Sequence, residues 1–152
     1  MNTVKSSELP GMVGHQLEPT EWFLITQEQI NEFADITLDH QYIHTDPERA
    51  ATTPLGSTIA HGFLVLSMLS HFSHSFGFTV TDSVMGLNYG FDKVRFLTPV
   101  KTGSKVRTHA TLSEVTEKTA GRYLLRYTVS IETGGENTPA LIADWLVMVV
   151  CG

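Results

Sequence analysis

The sequence contains a single cysteine, few basic residues and no long apolar run. With Cys151 alone, the 152-residue chain has no internal disulfide and no cysteine-based zinc site. The 10 basic against 16 acidic residues give a net charge of -6, which does not favour binding to nucleic acid or to an anionic membrane. No apolar stretch approaches the roughly 20 residues of a membrane span, and the first residues do not resemble a signal peptide. We therefore expect a soluble cytoplasmic protein without a nucleic-acid or membrane partner.

The length and the 41% hydrophobic content indicate one ordinary globular domain. A chain of this size buries roughly 70% of the surface that its unfolded state exposes, which is enough for a substantial core. We expect an N-terminal extension over residues 1–21 and a single domain over residues 22–152.

The first half of the chain predicts two helices separated by a long connection. Thr26, with a glutamine three residues later and apolar residues at helical spacing, predicts a helix over about 27–36. Residues 60–76 are apolar or small on nearly every side, which predicts a helix surrounded by protein. The connection over residues 37–58 is polar, and Pro47 could start one helical turn in it. Long connections in compact domains are often functional.

The second half of the chain predicts antiparallel strands joined by short turns. Apolar residues alternate with mostly polar ones over residues 122–131, and the same period recurs over residues 105–112. Residues 140–150 predict a final strand with one charge, Asp144. A buried helix packed on a curved antiparallel sheet is an α+β domain.

Two short motifs carry candidate chemistry. Asp39 and His44 lie five positions apart and offer an acid/base pair. The segment 59–64 offers a backbone donor at the start of the second helix, where N–H groups lack intrahelical acceptors. A proton carrier beside a donor for developing negative charge is what the addition or removal of water next to a carbonyl requires.

Each motif also has an ordinary structural interpretation. Aspartate and histidine in a polar loop usually cap turns or face solvent. His61, just before a buried helix, is more often a hydrogen-bonded structural residue than a catalytic one. The pairs His40/His44 and His71/His74 have metal-like spacing, but no third ligand stands out, so we expect no metal.

The motifs taken together resemble one family, the MaoC-like dehydratases, also called R-specific enoyl-CoA hydratases. The match covers roughly residues 22–150 and is carried by segments that occur in the expected order: Asp39 with His44-Thr45-Asp46-Pro47, Ala50-Ala51, Gly56 to Gly62, and Leu87 to Val100. Where many members have Asn-Pro between the catalytic pair, this chain has Gln41-Tyr42, which resembles the nodulation-protein-N-like branch. The resemblance implies a hot dog fold, a long helix wrapped by an antiparallel sheet and usually paired with a second copy.

The resemblance also implies a role for each matching residue. Asp39 and His44 would be the catalytic pair that activates water, and their division of labour stays open because close titrating groups share protons. The Gly62 backbone N–H would polarise the thioester carbonyl, with Ser70 and Gln41 contributing to substrate binding.

The implied activity is reversible hydration of a trans-2-enoyl-CoA, or a related acyl thioester, to the R-3-hydroxyacyl product. We expect no cofactor, because water addition beside a thioester needs neither a redox group nor a metal when the oxyanion is stabilised. Two alternatives stay open: a hot-dog acyl-CoA thioesterase and a non-catalytic acyl-thioester-binding protein. A homodimer is expected, because a single sheet leaves edge strands exposed.

Overall fold

A five-stranded antiparallel sheet curls around one helix in the computed structural model, which describes residues 2–152. The strands follow the chain in this order: β1 (Asn2–Val4), β2 (Phe23–Leu24), β3 (Phe78–Val80), β4 (Ser83–Phe96), β5 (Lys105–Thr119), β6 (Arg122–Thr133) and β7 (Leu141–Cys151). The α-helices are α1 (Gln27–Thr37), α2 (Tyr42–Thr45), α3 (Pro47–Ala51) and α4 (Gly62–Ser73), and a short 3₁₀ helix covers Ser6–Met12. No helix of the described residues is long and apolar enough to cross a membrane.

The large sheet has the strand order β2-β5-β6-β7-β4, with every neighbouring pair antiparallel. The apolar alternation of the sequence fixes its inner face, because side chains of successive residues point to opposite sides of a strand. The inner residues are almost wholly buried and include Val106, Leu112, Leu125, Ile131 and Leu141. The predicted α+β architecture and the three predicted strands are confirmed; β5 and β6 are longer than the sequence pattern indicated, and β7 has the predicted length.

Helix α4 lies against the sheet with only one of its sides. Its buried side is apolar and belongs to the same core as the sheet residues: Leu64, Val65, Leu69 and Phe72. The opposite stripe is exposed, with Phe63 at 70% exposure and Ser67 and Ser70 one and two turns further on. The prediction of a helix surrounded by protein is therefore wrong for the single chain, because the apolar residues on this stripe have no covering layer.

Helix α1 begins where its capping signal predicts. Thr26 accepts a hydrogen bond from the Gln29 N–H at 3.2 Å, and the Gln29 side chain accepts one from the Thr26 N–H at 3.0 Å. The helix ends at Thr37 and is followed by Leu38, which is left-handed with φ 63°. Since a left-handed residue reverses the course of the chain, it directs the backbone into the segment that carries Asp39.

The N-terminal segment packs on the rest of the domain. Leu9 and Leu17 are 0% and 4% exposed and belong to the main core. Ser6 donates to the Asp82 carboxylate through both its N–H, at 2.9 Å, and its hydroxyl, at 2.6 Å. The division into an extension over 1–21 and a domain over 22–152 stays a prediction.

Candidate active site

Asp39 lies in the short connection between α1 and α2, immediately after the left-handed Leu38. Its side chain is 53% exposed, and its Oδ1 accepts a hydrogen bond from the Gln41 N–H at 3.3 Å. The carboxylate is therefore open to solvent and to any molecule that enters the site.

His44 lies on the single turn of α2 and is only 7% exposed. Its Nδ1 is 2.7 Å from the carbonyl oxygen of Ile59. Because a carbonyl can only accept, Nδ1 carries the proton of this bond, and in the neutral ring Nε2 is left with a free lone pair. The imidazole therefore presents an acceptor whose orientation is fixed by the backbone.

The backbone around His44 is held by a buried amide. The Gln27 Nε2 donates to the His44 carbonyl oxygen at 2.7 Å, and the hydroxyl of the buried Thr58 donates to the Gln27 Oε1. These contacts join the start of α1, the turn of α2 and the segment before α4, so three distant parts of the chain position one histidine.

His61 completes a cluster with the two predicted catalytic residues. Asp39, His44 and His61 each offer a side-chain atom within 4.8 Å of those of the other two. The rings of His44 and His61 stack with centroids 3.8 Å apart and an interplanar angle of 23°. The structure therefore brings together the predicted pair and adds a third residue, for which the sequence favoured a structural role over a catalytic one.

Burial changes the protonation of His44. Desolvation lowers the pKa of His44 below its ordinary value, and the neighbouring His61 lowers it further, while the hydrogen bond to Ile59 and the charge of Asp39 act in the opposite direction. The net lowering favours the neutral imidazole, which is the form that can accept a proton or a hydrogen bond at Nε2.

The same three residues form the only His/Asp/Glu/Cys cluster among the described residues that could hold a metal. Its geometry suits a metal poorly, because nearly parallel stacked rings direct their in-plane lone pairs side by side instead of towards one point. One nitrogen of each ring also faces a backbone carbonyl: His44 Nδ1 faces Ile59, and His61 Nε2 faces Asp39.

An apolar pocket of about 220 Å³ lies at the start of α4. Ile59 and Gly62, which flank His61 closely in sequence, line one side of it. The remaining lining residues are almost all apolar: Ala60, Val65, Phe96, Leu97, Thr98, Pro99, Val100 and Ala140. The lining thus includes the residues directly before and after His61, whereas Asp39, His44 and His61 themselves lie outside it.

Gly62 occupies the first position of α4, and within the described residues its N–H donates to no acceptor. A Cβ at this position would lie 3.0 Å from ring atoms of Phe96, closer than side chains ordinarily pack. The glycine thus leaves room for the aromatic wall of the pocket next to a free backbone donor at a helix start, where negative charge is favoured.

Of the three predicted substrate-binding residues, Gly62 lines the pocket, whereas Ser70 and Gln41 lie apart from its lining. Ser70 is exposed eight positions along α4 from Gly62, about 12 Å of helix, and its hydroxyl accepts a hydrogen bond from Asn88 at 3.3 Å. Gln41 is exposed at the start of α2, where its backbone N–H contacts Asp39. Their roles in binding substrate stay predictions.

Sequence reasoning missed Gln27, Thr58 and Phe96. Gln27 was assigned to the first turn of a helix, and nothing in its neighbours indicates that its amide reaches His44, 17 positions away. Phe96 forms part of the pocket wall because strand β4 ends beside α4, a relation that depends on the sheet order.

Comparison with known proteins supports a single family. The chain is 45% identical over 150 residues to Nodulation protein N of Rhizobium leguminosarum bv. viciae, covering 98% of this chain and 93% of the relative. It is 41% identical over 151 residues to 3-hydroxyacyl-thioester dehydratase Z of Mycobacterium tuberculosis, covering 99% of both chains.

Solved structures support the fold. The (R)-hydratase from A. caviae involved in PHA biosynthesis superposes with a TM-score of 0.72 at 23% identity, covering 89% of this chain and 94% of that one. The predicted hot dog fold is confirmed by this likeness together with the curled sheet around α4. The family model described as MaoC like domain matches residues 8–133, and the chain therefore belongs to the MaoC-like domain family.

Proposed function

We propose that the protein is a hydro-lyase that adds water to a trans-2-enoyl-CoA, or a related acyl thioester, and eliminates water in the reverse direction. The product of hydration is the R-3-hydroxyacyl thioester. The observation that carries the proposal is the Asp39/His44/His61 cluster together with the free N–H of Gly62, which follows His61 directly at the start of α4 and lines an apolar pocket. The 41% identity to a protein named as a 3-hydroxyacyl-thioester dehydratase supports the same class of reaction.

Asp39 and His44 hold and activate the water. Both present acceptors, a carboxylate and the Nε2 lone pair of a neutral imidazole, and a water that donates to both leaves its own lone pair free to attack C3. Two acceptors bridged in this way lie roughly 4.5 Å apart at ordinary hydrogen-bond lengths. This spacing is compatible with the 4.8 Å within which the side-chain atoms of the cluster lie.

The attacking water loses one proton to the pair and the C2 carbon gains one from it, so the protein is regenerated in each cycle. As electrons move from the double bond towards the thioester, negative charge develops on the carbonyl oxygen. The Gly62 N–H at the start of α4 can donate to this oxygen, and the dipole of the 12-residue helix favours the charge. The step moves no electrons to or from a redox group, so we expect no cofactor.

The apolar pocket beside Gly62 is the proposed place of the carbon chain adjoining the thioester. Its walls are Ile59, Val65, Phe96 and Val100, and apolar walls exclude water from the reacting carbons. The exposed stripe of α4 that carries Ser70 would contribute further along the ligand, and Gln41 would hold the carboxylate of Asp39 through its N–H.

We also propose that two copies pair through strand β4. This strand lies at the end of the sheet, and within the described residues its outer edge pairs with no other strand over 14 residues. The strand exposes Val84, Met85, Leu87 and Tyr89, all at 48% exposure or more. A long apolar edge of this kind is an association surface. In a dimer with two-fold symmetry, each copy would bury this edge against the same edge of the other copy.

Product analysis with crotonyl-CoA and longer trans-2-enoyl-CoAs tests the reaction. We expect loss of the conjugated thioester absorbance, formation of the R-3-hydroxyacyl-CoA and no free CoA thiol. Release of free CoA without hydroxyacyl product would replace the proposal by a thioesterase. Saturable binding without any product would replace it by a non-catalytic acyl-thioester-binding protein.

A further inference from the structure

His61 lies at the centre of the catalytic cluster although it faces neither solvent nor the pocket. It is 3% exposed, and its ring is held between the ring of His44 at 3.8 Å and that of Phe33 at 5.0 Å. It does not belong to the lining of the apolar pocket, whereas its neighbours Ala60 and Gly62 do. His61 is thus placed to act on other residues of the site, not on the substrate.

One nitrogen of His61 holds the backbone of Asp39. Its Nε2 lies 2.9 Å from the Asp39 carbonyl oxygen and 4.0 Å from the Asp39 Oδ2. Since a carbonyl only accepts, Nε2 is the donor. This bond restrains a residue whose own side chain is exposed and whose preceding residue, Leu38, adopts a left-handed conformation that costs a leucine roughly 1–2 kcal/mol.

The other nitrogen of His61 has no partner. Its Nδ1 is buried and, within the described part of the chain, forms no hydrogen bond. An unpaired buried polar atom costs roughly 1–3 kcal/mol, and a phenylalanine at this position would keep the ring contacts without that cost. Ring packing alone therefore does not account for histidine here, whereas the donor bond to the Asp39 carbonyl does.

The stacked ring also fixes His44. The His44 ring is held at Nδ1 by Ile59 and on one face by His61, so the direction of its free nitrogen is determined. Both neighbours also act on the pKa of His44, which Asp39 raises and His61 lowers. His61 thereby influences both Asp39 and His44.

We propose that His61 is a positioning residue for the hydration, holding the Asp39 backbone through its Nε2 and the His44 ring through stacking. This role rests on the proposed function and adds to it a third residue that acts through the other two. The two contacts are separable by substitution, because phenylalanine retains a ring without the donor and glutamine retains a donor without the ring.

The test compares His61→Phe, His61→Gln and the control His71→Gln, which removes an exposed histidine from the far end of the same helix. The readouts are kcat and KM for a trans-2-enoyl-CoA, the pH dependence of kcat/KM, and thermal unfolding. We expect His61→Phe to remain folded and to lower kcat about 10-fold or more, with a smaller change in KM. The acidic limb of the pH profile of kcat/KM should also move. His61→Gln should recover part of kcat, and the control should match the wild type.

Three results would overturn this role. Wild-type kcat and an unmoved pH profile in His61→Phe would remove it while the proposed function stands. Loss of the folded state in both His61 variants would make the residue structural. A wild-type protein that hydrates no enoyl thioester would overturn the proposed function itself, and the role of His61 with it.

Discussion

Asp39 and His44 have opposite environments although they are proposed to act on the same water. The Asp39 side chain is 53% exposed, whereas His44 is 7% exposed and bonded to the Ile59 carbonyl. Asp39 can therefore exchange protons directly with solvent, while His44 presents a fixed acceptor from a desolvated position. This difference favours Asp39 as the carrier of the transferred proton and His44 as the residue that orients the water.

The lowered pKa of His44 predicts a pH dependence of stability. As the pH falls below about 6.5, His44 becomes protonated in the unfolded state but stays neutral in the folded state until the pH reaches its lower folded pKa. The free energy of unfolding therefore decreases as the pH falls from about 6.5 to the folded pKa. Urea unfolding of wild type and His44→Gln should differ in slope between about pH 7 and pH 5, with the steeper fall in the wild type.

The exposed His74→Gln is the control for this comparison and should retain the wild-type slope. The pKa values of three carboxyl groups, Asp82, Glu114 and Glu132, are lowered from ordinary values of 3.8 to 4.5. These groups therefore change the stability below the range between pH 7 and pH 5 and do not contribute to the difference in slope. Equal slopes for wild type and His44→Gln would contradict the assignment.

Gly62→Ala should damage activity without unfolding the protein. The added Cβ would lie 3.0 Å from the Phe96 ring, which is 50% exposed and can move, so the pocket wall shifts beside the N–H that is proposed to bind the carbonyl. We expect kcat/KM to fall about 10- to 100-fold with little change in the thermal midpoint. Gly11→Ala is the matched control, because its Cβ would meet nothing within 4 Å. Equal kcat/KM in both variants would exclude the proposed role of Gly62.

At the scale of the elements, local signals predicted most of the fold. The capping residues of α1, the apolar period of β5 and β6, and the proline that starts α3 all act over a few residues and can be read from sequence. The parallel pair of β1 and β3 could not be predicted from the sequence, because each strand has three residues and more than 70 residues separate them along the chain.

Some features of the candidate site are local in the sequence, and others depend on the packing of distant segments. The spacing of Asp39 and His44 and the glycine at the start of α4 are local, and the sequence contained them. The contact of Gln27 with the His44 carbonyl, the stacking of His61 on His44 and the approach of Phe96 to Gly62 depend on packing between distant segments. No periodicity encodes such contacts.

Helix α1 supports the site through its capped start, which predicts an effect of Thr26→Ala. The substitution removes the acceptor for the Gln29 N–H, and the loss of such a cap costs about 1 kcal/mol. Thr37→Ala at the exposed end of the same helix, where the hydroxyl donates to the Phe33 carbonyl, is the control. Chemical denaturation should give the larger destabilisation for Thr26→Ala. A larger loss at Thr37 would contradict the capping account.

At the scale of the whole molecule, one face of the protein is incomplete. The outer edge of β4 and the exposed stripe of α4 place apolar side chains in solvent, among them Phe63, Leu87 and Phe96 at 49% exposure or more. Phe96 also lines the pocket, and Phe63 packs edge-on against it. A second copy on this face would therefore cover this wall of the pocket as well as the sheet edge.

The proposed pairing predicts a dimer that one charge disrupts. Leu87→Lys places a charge on the β4 edge and should yield monomers, whereas Val13→Lys, at the similar exposure of 47% but away from this edge, should leave the dimer intact. Sedimentation velocity at micromolar concentration distinguishes the species. A wild-type monomer, or an unaffected dimer in Leu87→Lys, would contradict pairing through β4.

The central claim is that Asp39 activates water for addition to an enoyl thioester. Its most direct test is the rate at which the conjugated absorbance of a trans-2-enoyl-CoA disappears with wild type and with Asp39→Asn, both verified as folded by thermal unfolding. We predict hydration by the wild type and a loss of about 100-fold or more in the variant, because a proton carrier in the reacting position supplies an acceleration of this order. Equal rates in the two proteins, or no hydration by the wild type at any chain length, would contradict the account.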